Sequence, residues 1–336
     1  MKECSTNDRE TALPILVFHR GKQKYVKSVL EQAEKYHSKV ILIGNDENKN
    51  FSANWINYKE LDHMLLDRFK DVYIHMSSNP YQIEMFCLES WFYYYECAKK
   101  MGLQEFITMD SDVLLYRTIR KSDFGTADVA LGWAKKQEPY IWAYNPYFAY
   151  WKISKLENYL LFCIETYSEN NENTAKLREK WQYHKTSGKA GGVCDMTLMY
   201  LWAQNEKNLI NVLDREWGGG VFDRAIKSET NYEKIFKYDK VNQMKKIEFD
   251  DNHMPYFVEE STEIRYPVVA LHCISNTKIY INLLKKGVYN QCLFVIVKYI
   301  NWFMGKVKQV VYYLHKGSLL DRLFRGKKMG RLEETD

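Results

Sequence analysis

The first fifty residues carry the pattern that most restricts the fold of this chain. Two short apolar runs, Pro14–Phe18 (PILVF) and Lys39–Gly44 (KVILIG), have the length and composition of buried strands. Between them, Val26, Leu30 and Ala33 recur at the spacing of one helical face. A strand, a helix and a strand within about 35 residues predict a βαβ unit, and therefore a parallel sheet.

The same two patterns continue along the chain. Residues 82–101 place their apolar side chains on one helical stripe, and Gly102 follows as a typical helix end. The further predicted elements are strands at 72–76, 106–109, 128–133, 210–213, 247–249, 256–259 and 268–272, and helices at 153–167 and 194–202. The alternation predicts an α/β fold for the first half of the chain and a more mixed second half.

The cysteines bear on where the protein resides. All seven are widely scattered and form no CxxC pair, which is typical of reduced thiols and not of a disulfide framework or a zinc ribbon. The polar N-terminal stretch lacks the apolar segment of a signal peptide. The expected location is the cytoplasm, with the cytoplasmic face of the inner membrane as an extension of that prediction.

The positive charge is concentrated at the C-terminal end. The whole chain carries +5, but residues 285–336 hold eleven Lys and Arg against four Asp and Glu, a net of +7 that leaves −2 for the remainder. Basic charge confined to a tail argues against a nucleic-acid-binding face on the body. It favours a tail that meets an anionic surface.

A candidate membrane-binding helix lies within this tail. Residues 293–314 place ten apolar side chains on one helical face, with Lys298, Lys308 and Gln309 opposite. The densest apolar stretch is shorter than the roughly 20 residues that a spanning helix needs. Two interpretations remain: a helix lying on an anionic membrane, or one that packs on the protein or a partner. The predicted domains are residues 1–286 and a basic amphipathic tail, 287–336.

Two carboxylates follow the predicted strand 106–109. Asp110 and Asp112 are separated by one residue, so in an extended segment their side chains point the same way and can converge on one cation. Oxygen ligands of this kind suit Mg²⁺ or Mn²⁺ together with a phosphate substrate. A calcium loop is excluded, because Leu115 and Lys121 stand where Gly and Glu are required. A phosphatase nucleophile and a chance surface turn stay open as alternatives.

Several segments together resemble the glycosyltransferases of the GT-A fold, particularly bacterial enzymes that build capsular or lipopolysaccharide chains. In chain order they are ILVFHRG, VILIGND, IHMSSNPYQIEMFCLESWF leading into FITMDSDVLL, NPYFAYW, GGVCDMTLMYLW and ALHCISNTK. They span roughly residues 14–280. The resemblance implies a Rossmann-like nucleotide-diphospho-sugar transferase fold, with a mixed sheet flanked by helices and the helical tail appended.

The resemblance also implies a metal site. Asp110 and Asp112 match the family's DxD motif, which holds Mn²⁺ or Mg²⁺ against the diphosphate of the donor, and Asp110 would also face the nucleotide sugar. His272 matches a late histidine that supplies a further metal ligand, and Lys278 matches a lysine that meets a phosphate. Ser275 stands where related sequences have Gly. A core histidine on an apolar strand is the alternative interpretation of His272.

The remaining candidate site residues come from the same resemblance. His19, Arg20 and Asp46 follow the first two strands, where the family contacts the base and ribose. Asp195 occupies the position of an acidic residue that faces the acceptor, and it would be the catalytic base of an inverting enzyme. A helix cap is an equal alternative for Asp195, and a turn residue is nearly equal for Asp46.

The expected function is therefore a metal-dependent, hexosyltransferase-type enzyme. It would transfer a sugar from a nucleotide-diphosphate donor to a saccharide or lipid-linked acceptor in cell-surface polysaccharide synthesis. The tail would meet an anionic membrane, and no nucleic-acid partner is expected. A metal-dependent phosphohydrolase that uses the same two carboxylates and a non-catalytic nucleotide-binding protein recruited to membranes are the alternatives.

Overall fold

The structure is a computed structural model that describes residues 12–133, 140–168, 172–211, 220–231 and 234–315. The chain divides into two compact units, Met1–Tyr289 and Asn290–Asp336. The part of the predicted tail that follows residue 315 lies outside the described residues.

Strands and helices are interspersed along the first part of the chain, and short strands predominate between residues 209 and 272. The strands are β1 Ile15–Phe18, β2 Val40–Gly44, β3 Trp55–Asn57, β4 Glu105–Met109, β5 Val113–Leu115, β6 Val129–Trp133, β7 Tyr144–Lys152, β8 Leu209–Asn211, β9 Val221–Phe222, β10 Thr230–Asn231, β11 Lys234–Ile235, β12 Tyr238–Asp239, β13 Met244–Lys245, β14 Glu248–Phe249, β15 Pro255–Val258 and β16 Arg265–His272. The helices are α1 Tyr25–Ala33, α2 Met64–Val72, α3 Tyr81–Lys100, α4 Ile153–Thr166, α5 Glu172–Ser187, α6 Asp195–Ala203, α7 Ile281–Leu284 and α8 Gln291–His315.

Seven strands form the central sheet, in the order β3-β2-β1-β4-β7-β6-β8. The first four of these are parallel, and Ile15 of β1 pairs with Val40 of β2 and Ile107 of β4. β7 runs antiparallel between β4 and β6, so the sheet is mixed. β1 and β2 are buried along their whole length, as continuous apolar runs in a covered parallel sheet require. The predictions of a βαβ unit and of an α/β fold with a mixed sheet flanked by helices are confirmed.

A second sheet joins the middle of the chain to residues 221–272. Its strand order is β14-β15-β16-β5, with β9 alongside β16. β16 is antiparallel to β5 and places His272 opposite Val113. Because β5 begins only a few residues after β4 ends, this pairing brings the end of β16 to the carboxyl end of β4.

Large aromatic side chains connect the elements that surround the central sheet. Trp151 of β7 has its ring centroid 5.8 Å from Trp91 of α3 and 5.7 Å from Trp202 of α6. Tyr159 of α4 lies 5.6 Å from Trp202. All four residues are buried, and aromatic rings in these offset and edge arrangements contribute beyond the area they bury. The packing holds α6 against the central sheet, and the first residue of α6 is Asp195, one of the predicted site residues.

One prediction of local structure needs correction, and two elements were not predicted. The strand predicted at 72–76 is wrong: Val72 ends α2, and the segment that follows forms only an isolated bridge between Ser77 and Gly192. Nothing in the sequence pattern predicted α2 or the nine-residue strand β7 as such. β7 is buried on both faces at its centre, so its side chains show no alternation of apolar and polar residues.

The second unit contains α8. Eight large apolar side chains on it are at least 39% exposed; they are Val295, Ile296, Tyr299, Ile300, Trp302, Phe303, Met304 and Val307. Among the described residues, none of the helices has the length and apolar character needed to cross a membrane.

Candidate functional site

The two carboxylates lie in the turn where the chain passes from the central sheet into the second sheet. The backbone N–H of Asp110 donates to the carbonyl of Tyr147 at 2.8 Å, and that of Val113 donates to Asp110 at 3.2 Å. The carbonyl of Asp112 accepts the N–H of Cys273 at 2.9 Å. Backbone bonds to both sheets therefore hold this turn at the carboxyl end of β4, the edge where ligands bind in open α/β sheets.

His272 completes a group of three possible metal ligands. Its Nε2 lies 3.4 Å from Oδ1 of Asp112 and 3.9 Å from Oδ2 of Asp110. One ligand atom from each of the three residues lies within 4.8 Å of the others. Two carboxylates and an imidazole form a donor set that suits Mn²⁺ and also accepts Mg²⁺. The residues present therefore fit the divalent ion that the sequence predicted.

The imidazole of His272 is oriented by its surroundings. Its Nδ1 lies 2.8 Å from the carbonyl oxygen of Arg224. Because a carbonyl only accepts, Nδ1 carries a hydrogen, and Nε2 is the ring nitrogen that faces the carboxylates. In the neutral form of the ring, Nε2 therefore carries the lone pair that a cation can use. The ring of Tyr147 stacks on the imidazole with centroids 4.5 Å apart and an interplanar angle of 10°. His272 is buried, but its Nε2 faces the two carboxylates and not the apolar core.

Lys278 places an ammonium group beside the same carboxylates. Its Nζ lies 2.9 Å from Oδ2 of Asp112, whereas His272 approaches the other oxygen, Oδ1. It belongs to the 3₁₀ turn Ser275–Tyr280 that follows β16. Ser275, which stands in place of the family's glycine, has φ 56°. The chain thus adopts here a left-handed backbone conformation that glycine favours, and it does so with a side chain present.

The ionisable side chains of this group have pKa values shifted in different directions. Desolvation in the cleft and the neighbouring charge of Asp112 raise the pKa of Asp110 to about 7, although its side chain is 54% exposed. Burial opposes ionisation of Asp112 too, but its bonds with His272 and Lys278 lower its pKa. Burial likewise opposes protonation of His272, and the two carboxylates still raise its pKa. A bound cation would remove the repulsion that disfavours a charged Asp110.

His19 supports the turn from the end of β1. Its Nε2 lies 2.7 Å from Oε1 of Gln23, and its Nδ1 lies 2.9 Å from the hydroxyl of Ser111. Since the amide oxygen accepts, Nε2 carries the hydrogen and Nδ1 accepts from Ser111. Burial lowers the pKa of His19, which favours this neutral form.

A cavity of about 490 Å³ opens over these residues. It is lined by six of the eight sequence-predicted site residues: His19, Asp110, Asp112, Asp195, His272 and Lys278. Arg20 and Asp46 are not among its lining residues. Arg20 forms an ion pair with Glu89 and lies 4.5 Å from the ring centroid of Tyr58. Asp46 lies in the 3₁₀ turn after β2 and accepts a bond from Asn57 at 3.3 Å.

Asp195 is the first residue of α6, and Cys194 is the N-cap. One oxygen of Asp195 accepts the N–H of Met196 at 2.8 Å, and the other accepts the indole N–H of Trp91 at 3.2 Å. Burial raises the pKa of its carboxyl group. Asp195 lines the first cavity and also a second one of about 380 Å³. Its carboxylate is therefore held at the junction of two cavities.

The second cavity contains charged residues that sequence patterns did not single out. Glu84 and Lys180 line it, and each is only 3% exposed. Glu84 accepts bonds from Ser77 and Asn79 at 2.7 and 2.8 Å. Lys180 donates to the carbonyl of Ile141 at 2.6 Å and to the hydroxyl of Thr197 at 2.8 Å, and burial lowers its pKa to about 8. Their positions on helices resemble ordinary surface positions, so no local signal marks them.

Gly191 and Gly192 shape the wall of the second cavity. Both have positive φ, 139° and 144°. A Cβ on Gly191 would meet the ring of His184 at 2.6 Å, and one on Gly192 would meet the carbonyl oxygen of Met76 at 2.4 Å. The loop is bound to residues 76–78 by backbone bonds, so the close approach of two backbone segments requires glycine at position 192, and the positive φ favours glycine at both positions.

A row of aromatic rings begins beside this cavity. Tyr140 stacks on Tyr183 at 4.7 Å and contacts Trp142 at 5.3 Å. Trp142 lies parallel to Tyr200 at 6.1 Å, and Tyr200 meets Tyr144 edge-on at 5.5 Å. Tyr140 and Trp142 both have positive φ, which is unusual for bulky residues and often accompanies functional sites.

No family model matches the chain, and no curated protein matches it. Several solved glycosyltransferases match its structure at low similarity. The galactosyltransferase LgtC, solved with donor and acceptor sugar analogues, is 11% identical, with a TM-score of 0.40 over 85% of this chain and 95% of its own. Mouse xyloside xylosyltransferase 1 is 10% identical, with a TM-score of 0.40 over 61% of this chain and 86% of its own.

A third match is a glycosyltransferase involved in the glycosylation of the major capsid of PBCV-1. It is 11% identical, with a TM-score of 0.37 over 82% of this chain and all of its own. All three belong to the class of protein that the sequence resembles. At such TM-scores the case for function depends on the side chains of this protein alone.

Proposed function

We propose that this protein is a metal-dependent glycosyltransferase that transfers a sugar from a nucleotide-diphosphate donor to a saccharide or lipid-linked acceptor in cell-surface polysaccharide synthesis. The observation that carries the proposal is the convergence of Asp110, Asp112 and His272 within 4.8 Å of one another at the edge of the central sheet. Lys278 adds a cation 2.9 Å from Asp112, and all four residues line one cavity.

The first cavity would hold the donor. Mn²⁺ or Mg²⁺ bound by Asp110, Asp112 and His272 would stabilise the negative charge of the leaving diphosphate. Lys278 would then exchange its bond with Asp112 for a phosphate oxygen, which keeps its charge balanced. His19 would hold Ser111, and with it the turn that carries both carboxylates. A nucleotide contact by Arg20 requires its guanidinium to leave Glu89, and Asp46 remains a candidate for the ribose.

The second cavity would hold the acceptor. Asp195 lies at the junction of both cavities, and its raised pKa makes it a better proton acceptor than an exposed carboxylate. If the reaction inverts the sugar, Asp195 would take the proton of the acceptor hydroxyl. The row of aromatic rings that begins at Tyr140 supports a saccharide acceptor, because flat faces with polar tips suit the apolar faces and hydroxyls of sugar rings.

A panel of nucleotide-diphosphate sugars, each with and without MnCl₂, tests the proposal by thermal shift. One donor should raise the midpoint of unfolding only when Mn²⁺ is present, since ligands stabilise the state they bind. Asp112→Ala should lose this shift, and Asp251→Ala, an exposed carboxylate outside the cavity, should keep it. No response of the native protein to any donor would overturn the proposal. Phosphate release from a simple phosphomonoester would instead support the phosphohydrolase.

The proposal extends to peripheral binding of an anionic membrane through α8. Apolar side chains at 296, 300, 303 and 307 recur at helical spacing and are exposed, and Lys298, Lys306 and Lys308 add charge that suits anionic lipid. A helix that is too polar to span a membrane can still lie in the interface. The enzyme would then act at the cytoplasmic face of the membrane, where lipid-linked acceptors are held.

Co-sedimentation with phosphatidylglycerol vesicles tests this extension with a matched pair of variants. Ile300→Asp puts a carboxylate on the apolar face and should abolish binding. Asn301→Asp makes the same change in charge on the neighbouring polar face and should retain most of it. Equal binding by the two variants would mean that charge alone, and not insertion of the apolar face, brings the protein to the vesicles.

A further inference from the structure

An ion pair that is completely buried lies directly behind the proposed metal ligand His272. Nζ of Lys245 is 2.8 Å from Oδ1 of Asp223, and both side chains are 0% exposed. Neither residue lines either of the two cavities described above. The pair therefore contacts no substrate in the proposed reaction. Its role follows instead from the backbone groups that its side chains bind.

The pair binds the backbone on both sides of Arg224. The second oxygen of Asp223 accepts the backbone N–H of His272 at 3.3 Å, and Lys245 also donates to the carbonyl of Ala225 at 2.7 Å. Residues 223 and 225 are thus fixed. Between them, the carbonyl of Arg224 accepts Nδ1–H of His272 at 2.8 Å.

Backbone bonds define the rest of this arrangement. Asp223 donates to the carbonyl of Ala270 at 2.8 Å, and Ile226 donates to that of His272 at 3.0 Å. Lys245 donates its backbone N–H to Ile226 at 2.7 Å. The segment 223–226 therefore continues beside β16 after β9 has ended. Regular strand pairing stops there, and the side chains of Asp223 and Lys245 form further contacts with the backbone.

Stability does not account for such a pair. Removing two charges from water costs more free energy than their attraction commonly returns, and apolar residues of similar volume are often as stabilising or more so. Burial indeed lowers the pKa of Lys245 even with Asp223 beside it. What apolar residues cannot do is accept the N–H of His272 and hold the carbonyl of Ala225.

We propose that Asp223 and Lys245 are positioning residues for His272: they hold the carbonyl of Arg224 so that the imidazole keeps its hydrogen on Nδ1 and offers Nε2 to a divalent cation. Outer partners of metal-ligating histidines act in this way, and their loss commonly costs 10- to 100-fold in metal affinity. The inference rests on the proposed function for the metal, but the orientation of the imidazole can be measured without one.

The first measurement is therefore made on metal-free protein. Asp223→Leu with Lys245→Met removes the pair and leaves no buried charge. ¹⁵N chemical shifts of the His272 ring, assigned with His272→Gln and followed with rising pH until they no longer change, report the tautomer of the neutral imidazole. The native protein should show Nδ1 protonated, and the double variant should shift toward protonation at Nε2. An unchanged tautomer in the folded double variant would overturn the proposal.

The second measurement is Mn²⁺ affinity by titration calorimetry. It should fall about 10- to 100-fold in the double variant. Lys155→Met with Glu206→Leu removes a partly buried ion pair of 2.6 Å elsewhere in the molecule and should leave the affinity unchanged. Asp223→Asn with Lys245→Met restores an acceptor for the N–H of His272 and should recover part of the loss. It also serves if the first double variant does not fold.

The two proposals fail in different ways. If the native protein binds no Mn²⁺ while the tautomer changes as expected, the metal-dependent function falls and only the orientation of His272 stands. If the native protein binds Mn²⁺ and the folded double variant binds it equally tightly, the metal site stands and the positioning role is overturned.

Discussion

The two cavities that share Asp195 differ in the partners of their charged side chains. In the first, Asp110, Asp112, His272 and Lys278 face one another, and desolvation together with the charge of Asp112 raises the pKa of Asp110. In the second, Lys180 and Glu84 are each satisfied by neutral partners on the protein itself. The first is therefore suited to select a ligand by charge, and the second by shape and neutral polar contacts.

The largest expected effect is that of Asp112→Asn on the first cavity. The amide keeps the shape of the side chain and removes a charge that the divalent ion and Lys278 both require. Sugar transfer should fall about 10³-fold, or about 4 kcal/mol in activation free energy. Steady-state rates at saturating Mn²⁺ measure this. Activity within tenfold of native would mean that the first cavity does not work through charge.

The next largest effect concerns the buried ammonium of the second cavity. The pKa of Lys180 is lowered to about 8 in the folded protein and is near 10.5 when unfolded. Between these values the unfolded state binds more protons, so stability should rise with pH through this window and be lost as pH falls toward 8. Relative to Lys180→Met, the free energy of unfolding should gain on the order of 3 kcal/mol between pH 8 and 10.5.

Chemical denaturation of both proteins at several pH values measures this gain. The difference between the two proteins cancels the ionisation of other groups. A flat difference would mean that Lys180 has a charged partner or ready access to water, and the contrast between the cavities would then disappear.

The smallest expected effect is that of Gly192→Ala on the wall of the second cavity. The new Cβ would lie 2.4 Å from the carbonyl oxygen of Met76, at φ 144°. We expect a loss of about 2 kcal/mol in stability and a higher KM for the acceptor, with donor binding unchanged. Gly102→Ala is the matched control, because its φ is 65° and no atom lies within 4 Å of the position that its Cβ would take. An equal loss in both variants would assign the effect to φ alone.

The charged residues of the first cavity were largely predictable from sequence, because most of them lie at or just after the end of an apolar strand. Asp110 and Asp112 directly follow a continuous apolar strand, and His272 ends another. The pairing of β5 with β16 was not predictable from local patterns, since the partners are far apart along the chain. The resemblance to a known family supplied that link.

The buried charged residues of the second cavity could not be predicted from the sequence. Glu84 and Lys180 lie on helices whose pattern does not distinguish a buried charge from a solvated one. Local reasoning also did not predict the partner of Arg20: it follows a strand as the family's base-contacting residues do, and its guanidinium pairs with Glu89. Which partner a long side chain reaches depends on tertiary packing, which short patterns do not contain.

The pairing of β5 with β16 also sets a time order for the appearance of activity. Asp112 and His272 are 160 positions apart, so closing this contact requires nearly the whole first unit to have left the ribosome. Contacts of such long range form late, after the local helices and the first βαβ unit. Mn²⁺ would bind only after that closure and would stabilise it by mass action. The cation would thus bind only chains that are long enough to contain both strands, and a product truncated before His272 would not bind it.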